Sequence, residues 1–182
     1  NKVKENNLSA IASLISNEVF SLTPIIQNEL VVRDRLSSMS MSGASNLLTK
    51  VFNNSHLKNL GMEGNPSEFG IYLSLIKSNN LHIKKSDEFA ISIENTNNKS
   101  IKIIYDEFLE LIKSSKEAVN VSDIYAHFIK QPYGIKIGLL PILIGIFFKA
   151  TEASCAFYNK DEQGRESLIT EFDQKIAERM YH

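Results

Sequence analysis

The longest apolar stretch of the chain runs from Ile135 to Phe148, and its only charged side chain is Lys136. This stretch is too short to cross a bilayer, which takes about 20 apolar residues. A helix that is apolar on nearly all sides must be buried on most of them. We therefore predict a buried helix over residues 135–150, with Pro141 either starting its regular part or kinking it.

The segments around this stretch predict the rest of a small domain. Apolar residues recur at helical spacing over residues 101–112 and 120–129. After the apolar helix, the alternating runs CAFYNK and SLITEF flank a connector that contains Gly164, which is typical of a β-hairpin. Three helices followed by a hairpin is the order of a winged helix-turn-helix, so residues 101–182 are predicted to form a winged-helix-like subdomain.

The N-terminal half predicts a helical subdomain over residues 1–94. Helical periodicity covers residues 8–20, 47–52 and 66–76, and a further helix is expected after Thr23 and Pro24, towards Arg35. The run FAISI at 89–93 predicts a short strand, and NTNNKS at 95–100 a polar linker that forms a turn or mobile loop. The predicted fold class is mainly α with a small β component.

Composition places the chain among globular proteins and argues against a stand-alone nucleic-acid binder. A chain of 182 residues, 43% of them hydrophobic, can bury a core without disulfides or metals. The net charge is −1, and no segment is strongly basic. Cys155 is the only cysteine and is interpreted as a small core residue. Since the N-terminus also lacks a signal-peptide pattern, we expect a cytoplasmic protein without a membrane segment.

No motif that carries catalytic chemistry is present. The sequence has no G-x-x-x-x-G-K-[ST], G-x-G-x-x-G or G-x-S-x-G pattern, and none of its 4 histidines lies at a recognised metal spacing. His127 is interpreted as a surface or core residue, and Asp106, Glu107 and Glu110 as a solvated helix face. We therefore predict no catalytic, cofactor-binding or metal-binding residue and no enzyme activity for this segment.

Several phrases together resemble a known family. These are residues 28–38, 60–82, 132–148 and 156–180, and the most specific is the phrase PYGIKIGLLP. In order and spacing they are similar to the C-terminal region of very large bacterial P-loop ATPases of the DNA-repair and phage-defence type. The most specific matches are Pro132, Tyr133, Gly134, Lys136, Gly138 and Pro141.

The resemblance implies an accessory module attached to an ATP-driven machine that acts on DNA. In that family the ATP site lies upstream, so the implied partner is the ATPase domain of the parent chain. A module that mediates inter-domain or protein–protein contacts fits the near-zero net charge and the apolar third helix. The alternative is a winged-helix module that contacts the DNA backbone. Its candidate contacts are Arg33, Arg35, Lys130, Lys136, Lys160 and Arg165.

Overall fold

The computed structural model describes residues 2–28, 36–161 and 163–181. Its helices are α1 (Lys2–Val19), α2 (Ser38–Asn53), α3 (Phe69–Ile71, continued by a π-helical turn over Tyr72–Lys77), α4 (Lys99–Ser114), α5 (Val121–Ile129), α6 (Leu140–Thr151) and α7 (Gln174–Arg179). Its strands are β1 (His82–Lys85), β2 (Glu88–Ile91), β3 (Tyr158–Lys160) and β4 (Glu166–Leu168). The predicted fold class, mainly α with a small β component, is confirmed.

The contacts within the chain define two compact units, and each unit is built from two separate segments. The first comprises Asn1–Ile25 and Lys99–Ile135, and the second Ile26–Asn98 and Lys136–His182. The predicted linker at 95–100 contains one of the junctions between the units. The segment predicted as one winged-helix-like subdomain, residues 101–182, contributes α4 and α5 to the first unit, and α6, β3, β4 and α7 to the second.

The first unit contains α1, α4 and α5. The last two bury the faces that their apolar spacing predicts: Ile101, Ile104 and Phe108 on α4, and Ile124 and Phe128 on α5. The chain then turns at Tyr133 and Gly134. The amide groups of both residues donate hydrogen bonds to the Lys130 carbonyl, each at 3.0 Å.

The second unit is centred on α6, which packs against α2. Gly145 makes this approach possible, because a Cβ atom there would collide with Cδ1 of Leu48 on α2. On α2, Leu48 also forms a buried cluster with Phe172 and Ala177, which brings α7 onto the same helix. Asp173 caps α7, its carboxylate accepting from the Ile176 amide at 2.8 Å.

Two antiparallel hairpins make up the sheet content of the described residues. β3 pairs with β4, so the predicted C-terminal hairpin is confirmed, with Tyr158 opposite Leu168. β2 confirms the strand predicted around residue 90 and pairs with β1, which the sequence analysis missed. The sequence HIKK of β1 gives no alternating apolar signal, because its last two side chains are exposed lysines. Its backbone pairing with β2 identifies this strand.

Buried His82 connects the β1–β2 hairpin to the helical part of the second unit. Its Nε2 lies 2.9 Å from the Ser55 carbonyl oxygen, which can only accept, so Nε2 carries the proton. Its Nδ1 then accepts from the Tyr72 hydroxyl at 3.0 Å. Burial lowers the pKa of His82, and burial raises that of Tyr72. Both groups are therefore held in their neutral forms.

Two sequence-based expectations need correction. Residues 23–28 are not helical, because the Thr23 hydroxyl donates to the Tyr133 carbonyl instead of capping a helix end. The rest of that predicted helix, residues 29–35, lies outside the described residues. The apolar helix begins at Leu140 rather than at residue 135, with Pro141 in its first turn.

The polar linker at 95–100 adopts a turn, one of the two predicted alternatives, and its side chains bond within the second unit. Thr96 Oγ1 donates to the Asn79 carbonyl at 2.8 Å. Asn98 Nδ2 donates to Asn79 Oδ1 at 3.0 Å. These bonds satisfy a buried asparagine, so this segment is a structured turn rather than a mobile loop.

Candidate interaction surfaces

The apolar helix α6 does not present a surface to a nucleic acid. Leu139, at its N-cap, is 2% exposed, and Ile142, Ile146 and Phe147 are all 0% exposed. All of the residues from Leu140 to Phe148 are buried. A helix that reads DNA needs exposed polar side chains at one face, and this one has none along its central turns. The prediction that this helix is buried is confirmed.

The β3–β4 hairpin carries two of the predicted nucleic-acid contacts, and each faces an acid in the same hairpin. Lys160 Nζ lies 3.6 Å from Glu166 Oε1, and Arg165 Nε donates to Asp161 Oδ2 at 2.7 Å. Hydrogen bonds from the Arg165 amide and then from its guanidinium lower the pKa of Asp161. The four side chains sum to zero formal charge, so the hairpin offers phosphate little net attraction.

The other predicted contacts lie outside this hairpin. Lys130 follows α5 in the first unit, and Lys136 precedes α6 in the second; both are exposed. Arg33 and Arg35 lie outside the described residues. Of the four predicted contacts within the described residues, the hairpin carries Lys160 and Arg165, and Lys130 and Lys136 lie in different units.

Most residues of the PYGIKIGLLP phrase pack in the core or shape the backbone. Tyr133 is buried, and the Pro132 carbonyl accepts from the Leu22 amide at 3.1 Å. Gly134 has φ +55, and a Cβ atom there would lie within 2.9 Å of Cγ of the Phe20 ring, so only glycine fits. Gly138 is buried, and Pro141 lies in the first turn of α6. The phrase spans a junction between the units, with Pro132, Tyr133 and Gly134 in the first and Gly138 and Pro141 in the second.

One acid–base pair lies in the first unit. His127 Nε2 is 3.1 Å from Glu107 Oε1, and both side chains are about one-third exposed, at 35% and 36%. Burial and the negative charge of Glu107 raise the pKa of the nearby Tyr133. Because these two residues lie on different helices, the sequence gave no signal of their contact.

A cavity of about 430 Å³ lies in the second unit between α2, the end of α6 and the hairpin. Its aromatic lining consists of Phe52, Phe148, Phe157 and Phe172. Phe52 stacks on Phe172 with ring centroids 3.8 Å apart. At the wall, Lys149 pairs with Glu152 at 2.6 Å. Cys155, predicted to be a core residue, lines this cavity and is only partly buried.

A run of exposed apolar side chains lies along α1. Every side chain from Leu8 to Glu18 is exposed, including four large aliphatic ones. The exposed fractions are 68% for Leu8, 54% for Ile11, 69% for Leu14 and 56% for Ile15. At 100° per residue these four positions fall on one side of the helix. We call this surface the α1 stripe.

An α1 without tertiary contacts would be only marginally stable in water. Isolated helices of this length depend on packing of an apolar face, since propensity alone contributes too little. Residues 8–18 contain no buried side chain that could supply such packing. The α1 stripe is therefore a candidate docking surface.

Comparison with protein-family models, with curated proteins and with solved structures gives no match to this chain. Within residues 2–28, 36–161 and 163–181, no cluster of histidine, cysteine or carboxylate side chains is suited to hold a metal ion. Over the same described part of the chain, no helix combines the length and the apolar character needed to cross a membrane.

Proposed function

We propose that this chain is a non-catalytic accessory module of a larger bacterial ATPase that acts on DNA, in repair or phage defence. Its main role is to mediate inter-domain or protein–protein contacts in the cytoplasm. The link to an ATPase rests on the sequence resemblance of residues 132–148 and the neighbouring phrases. The contact role rests on the α1 stripe, which is the single observation that carries it.

The α1 stripe supports a protein partner rather than a nucleic acid. Its side chains are aliphatic, and residues 8–17 carry no basic side chain among them. Phosphate contacts require lysine or arginine, whereas aliphatic side chains gain free energy only when another apolar surface excludes water from them. The stripe is also a continuous face of one helix, a form that packs well against a second helix.

The alternative is a winged-helix module that contacts the DNA backbone. The element order from α4 to β4 supports it, since three helices precede a hairpin. The pairing of Lys160 and Arg165 with acids weakens it. Exposed ion pairs of this kind are worth only about 0–1 kcal/mol and can open, so a measurement must separate the two functions.

Fluorescence anisotropy of a labelled DNA duplex, titrated with the chain at about 50 and 200 mM salt, separates them. We expect no binding stronger than about 10⁻⁴ M at the higher salt, the weak end of non-specific association. We also expect no change in the double variant Lys160→Glu/Arg165→Glu. Micromolar binding that weakens steeply with salt and disappears in that variant would overturn the contact role in favour of the alternative.

A second measurement tests the accessory role. The ATPase domain of the parent chain, expressed separately, is mixed with this chain and followed by size-exclusion chromatography. We expect a stable complex, because a module without catalytic motifs would act by binding this domain. Elution of the two as separate species at tens of micromolar, on the order of weak-complex affinities, would contradict an inter-domain role.

A further inference from the structure

We propose that the α1 stripe is covered by a second copy of this chain, with the two α1 helices packed antiparallel. The inference rests on the proposed contact role and names its partner. It starts from the spacing of one helix face. Lys4, Leu8, Ile11, Ile15 and Glu18 are separated by four, three, four and three residues, which is the heptad spacing of a helix–helix seam.

The seam is apolar at its centre and oppositely charged at its ends. Leu8, Ile11 and Ile15 occupy the middle of α1, position 4 near the N-terminal end is a lysine, and position 18 near the C-terminal end is a glutamate. Glu18 is exposed, as are the three central side chains. A partner helix that complements this face needs an acid opposite position 4 and a base opposite position 18.

An inverted copy of the same helix meets that requirement. Rotation by 180° about an axis near Ile11 places position 18 of one copy opposite position 4 of the other, since both lie seven residues from Ile11. The same operation brings Leu8 of one copy beside Ile15 of the other. One surface then serves both copies, as in two-fold dimers generally.

A parallel pair does not satisfy the charges. It would place the two lysines of position 4 together and the two glutamates of position 18 together, and like charges across a seam are unfavourable. The helix macrodipoles also oppose each other favourably only in the antiparallel arrangement. Charge complementarity therefore selects the antiparallel second copy among the possible helical partners.

The size of the stripe sets the expected strength. Stable complexes bury about 800 Å² on each partner, and a seam of three or four aliphatic side chains per copy lies below that size. We therefore expect a reversible dimer with a dissociation constant (Kd) in the micromolar range. Sedimentation velocity across a series from about 1 to 500 μM detects such an equilibrium.

Two isoleucines provide a matched pair of variants. Ile11 on α1 and Ile137 in the second unit are both 54% exposed, so glutamate at either position leaves the buried core untouched. We expect Ile11→Glu to raise the Kd by more than about tenfold and Ile137→Glu to leave it unchanged. Circular dichroism at high dilution controls for any effect on the monomer.

A charge swap tests the orientation. Lys4→Glu alone and Glu18→Lys alone should each weaken the dimer by roughly 2- to 30-fold, because two pairs worth about 0.2–1 kcal/mol each become repulsive. The double variant Lys4→Glu/Glu18→Lys should restore the wild-type Kd. In a parallel dimer Lys4→Glu would merely exchange one like-charge contact for another and leave the Kd nearly unchanged, which would refute the antiparallel arrangement.

The outcomes separate this inference from the proposed function. A chain that stays monomeric throughout the series, or a dimer that Ile11→Glu does not weaken, overturns the second copy as occupant. Capture of the parent ATPase domain by a monomeric chain would leave the contact role standing with a different partner. Salt-dependent DNA binding lost in Lys160→Glu/Arg165→Glu would overturn the contact role itself.

Discussion

Replacing Gly145 by alanine should destabilise the protein, although alanine is the better helix former. Gly145 lies in the middle of α6, where Gly→Ala in an open position would stabilise by about 1 kcal/mol. Here the added methyl would collide with the end of the Leu48 side chain, and Phe52 Cε2 lies 3.5 Å away on the same side. Two opposing effects therefore determine the sign.

The space around Leu48 determines which effect is larger. Leu48 is 0% exposed and packs within the cluster of Phe172 and Ala177, so it cannot rotate away without displacing α7. Overpacking of such a site costs about 1–3 kcal/mol. Subtracting the helix-propensity gain of about 1 kcal/mol leaves a net loss of roughly 0–2 kcal/mol in the free energy of unfolding.

Thermal unfolding followed by circular dichroism measures this difference. A loss of 1 kcal/mol corresponds to a lower midpoint by about 2–4 °C for a chain of this size. Gly70→Ala is the matched control, because Gly70 is an exposed helical glycine with no atom within 4 Å of the added Cβ. That substitution should raise stability by about 0.5–1 kcal/mol.

A double variant tests the assigned cause. Leu48→Ala alone should cost about 2–5 kcal/mol because it leaves a cavity. Combined with Gly145→Ala, the new methyl enters that cavity, so the double variant should be less destabilised than the sum of the single ones by about 1 kcal/mol or more. Additive effects, or a Gly145→Ala protein as stabilised as Gly70→Ala, would refute the close contact of α2 and α6.

Three further predictions concern other parts of the fold. Because burial lowers the pKa of His82 below its ordinary value of 6.5, the unfolded state binds a proton first as the pH falls. The contribution of His82 to the free energy of unfolding, measured with urea, should therefore be complete above pH 6.5 and be lost as the pH falls towards the lowered pKa. The His82→Gln variant should lose less stability over the same pH range. Gly134→Ala should cost about 2 kcal/mol or more, since φ +55 is strained for alanine and Phe20 fills the space; an unchanged thermal midpoint would contradict this. Asp173→Ala should cost about 0.5–2 kcal/mol through loss of the α7 cap, while Asp173→Ser should retain most of the stability.

The sequence predicted the elements that depend on local periodicity. The apolar spacing of α4 and α5 and the alternation around Gly164 predicted two helices and a hairpin that the structure contains. The burial of α6 also followed from composition, because a run of Ile, Leu and Phe without charges has no side that tolerates water. These features need no knowledge of what packs against them.

Long-range contacts decided the features that the sequence analysis missed or misplaced. Strand β1 is defined by its pairing with β2, and its His82 side chain bonds to the Ser55 carbonyl, 27 residues away. Thr23 could have capped a helix locally, yet its hydroxyl donates to the carbonyl of Tyr133, 110 residues away. Local propensity cannot anticipate a partner that tertiary packing supplies.

For the candidate surfaces too, the sequence showed the residues and the structure showed their surroundings. The basic residues Lys160 and Arg165 were visible in the sequence, but their neutralising partners became apparent only when the hairpin register placed Glu166 and Asp161 beside them. The apolar periodicity of α1 was equally visible, and it predicted a helix. Only the tertiary structure shows that nothing within the described chain covers that face, because burial depends on which surfaces meet and not on the residues of one helix alone.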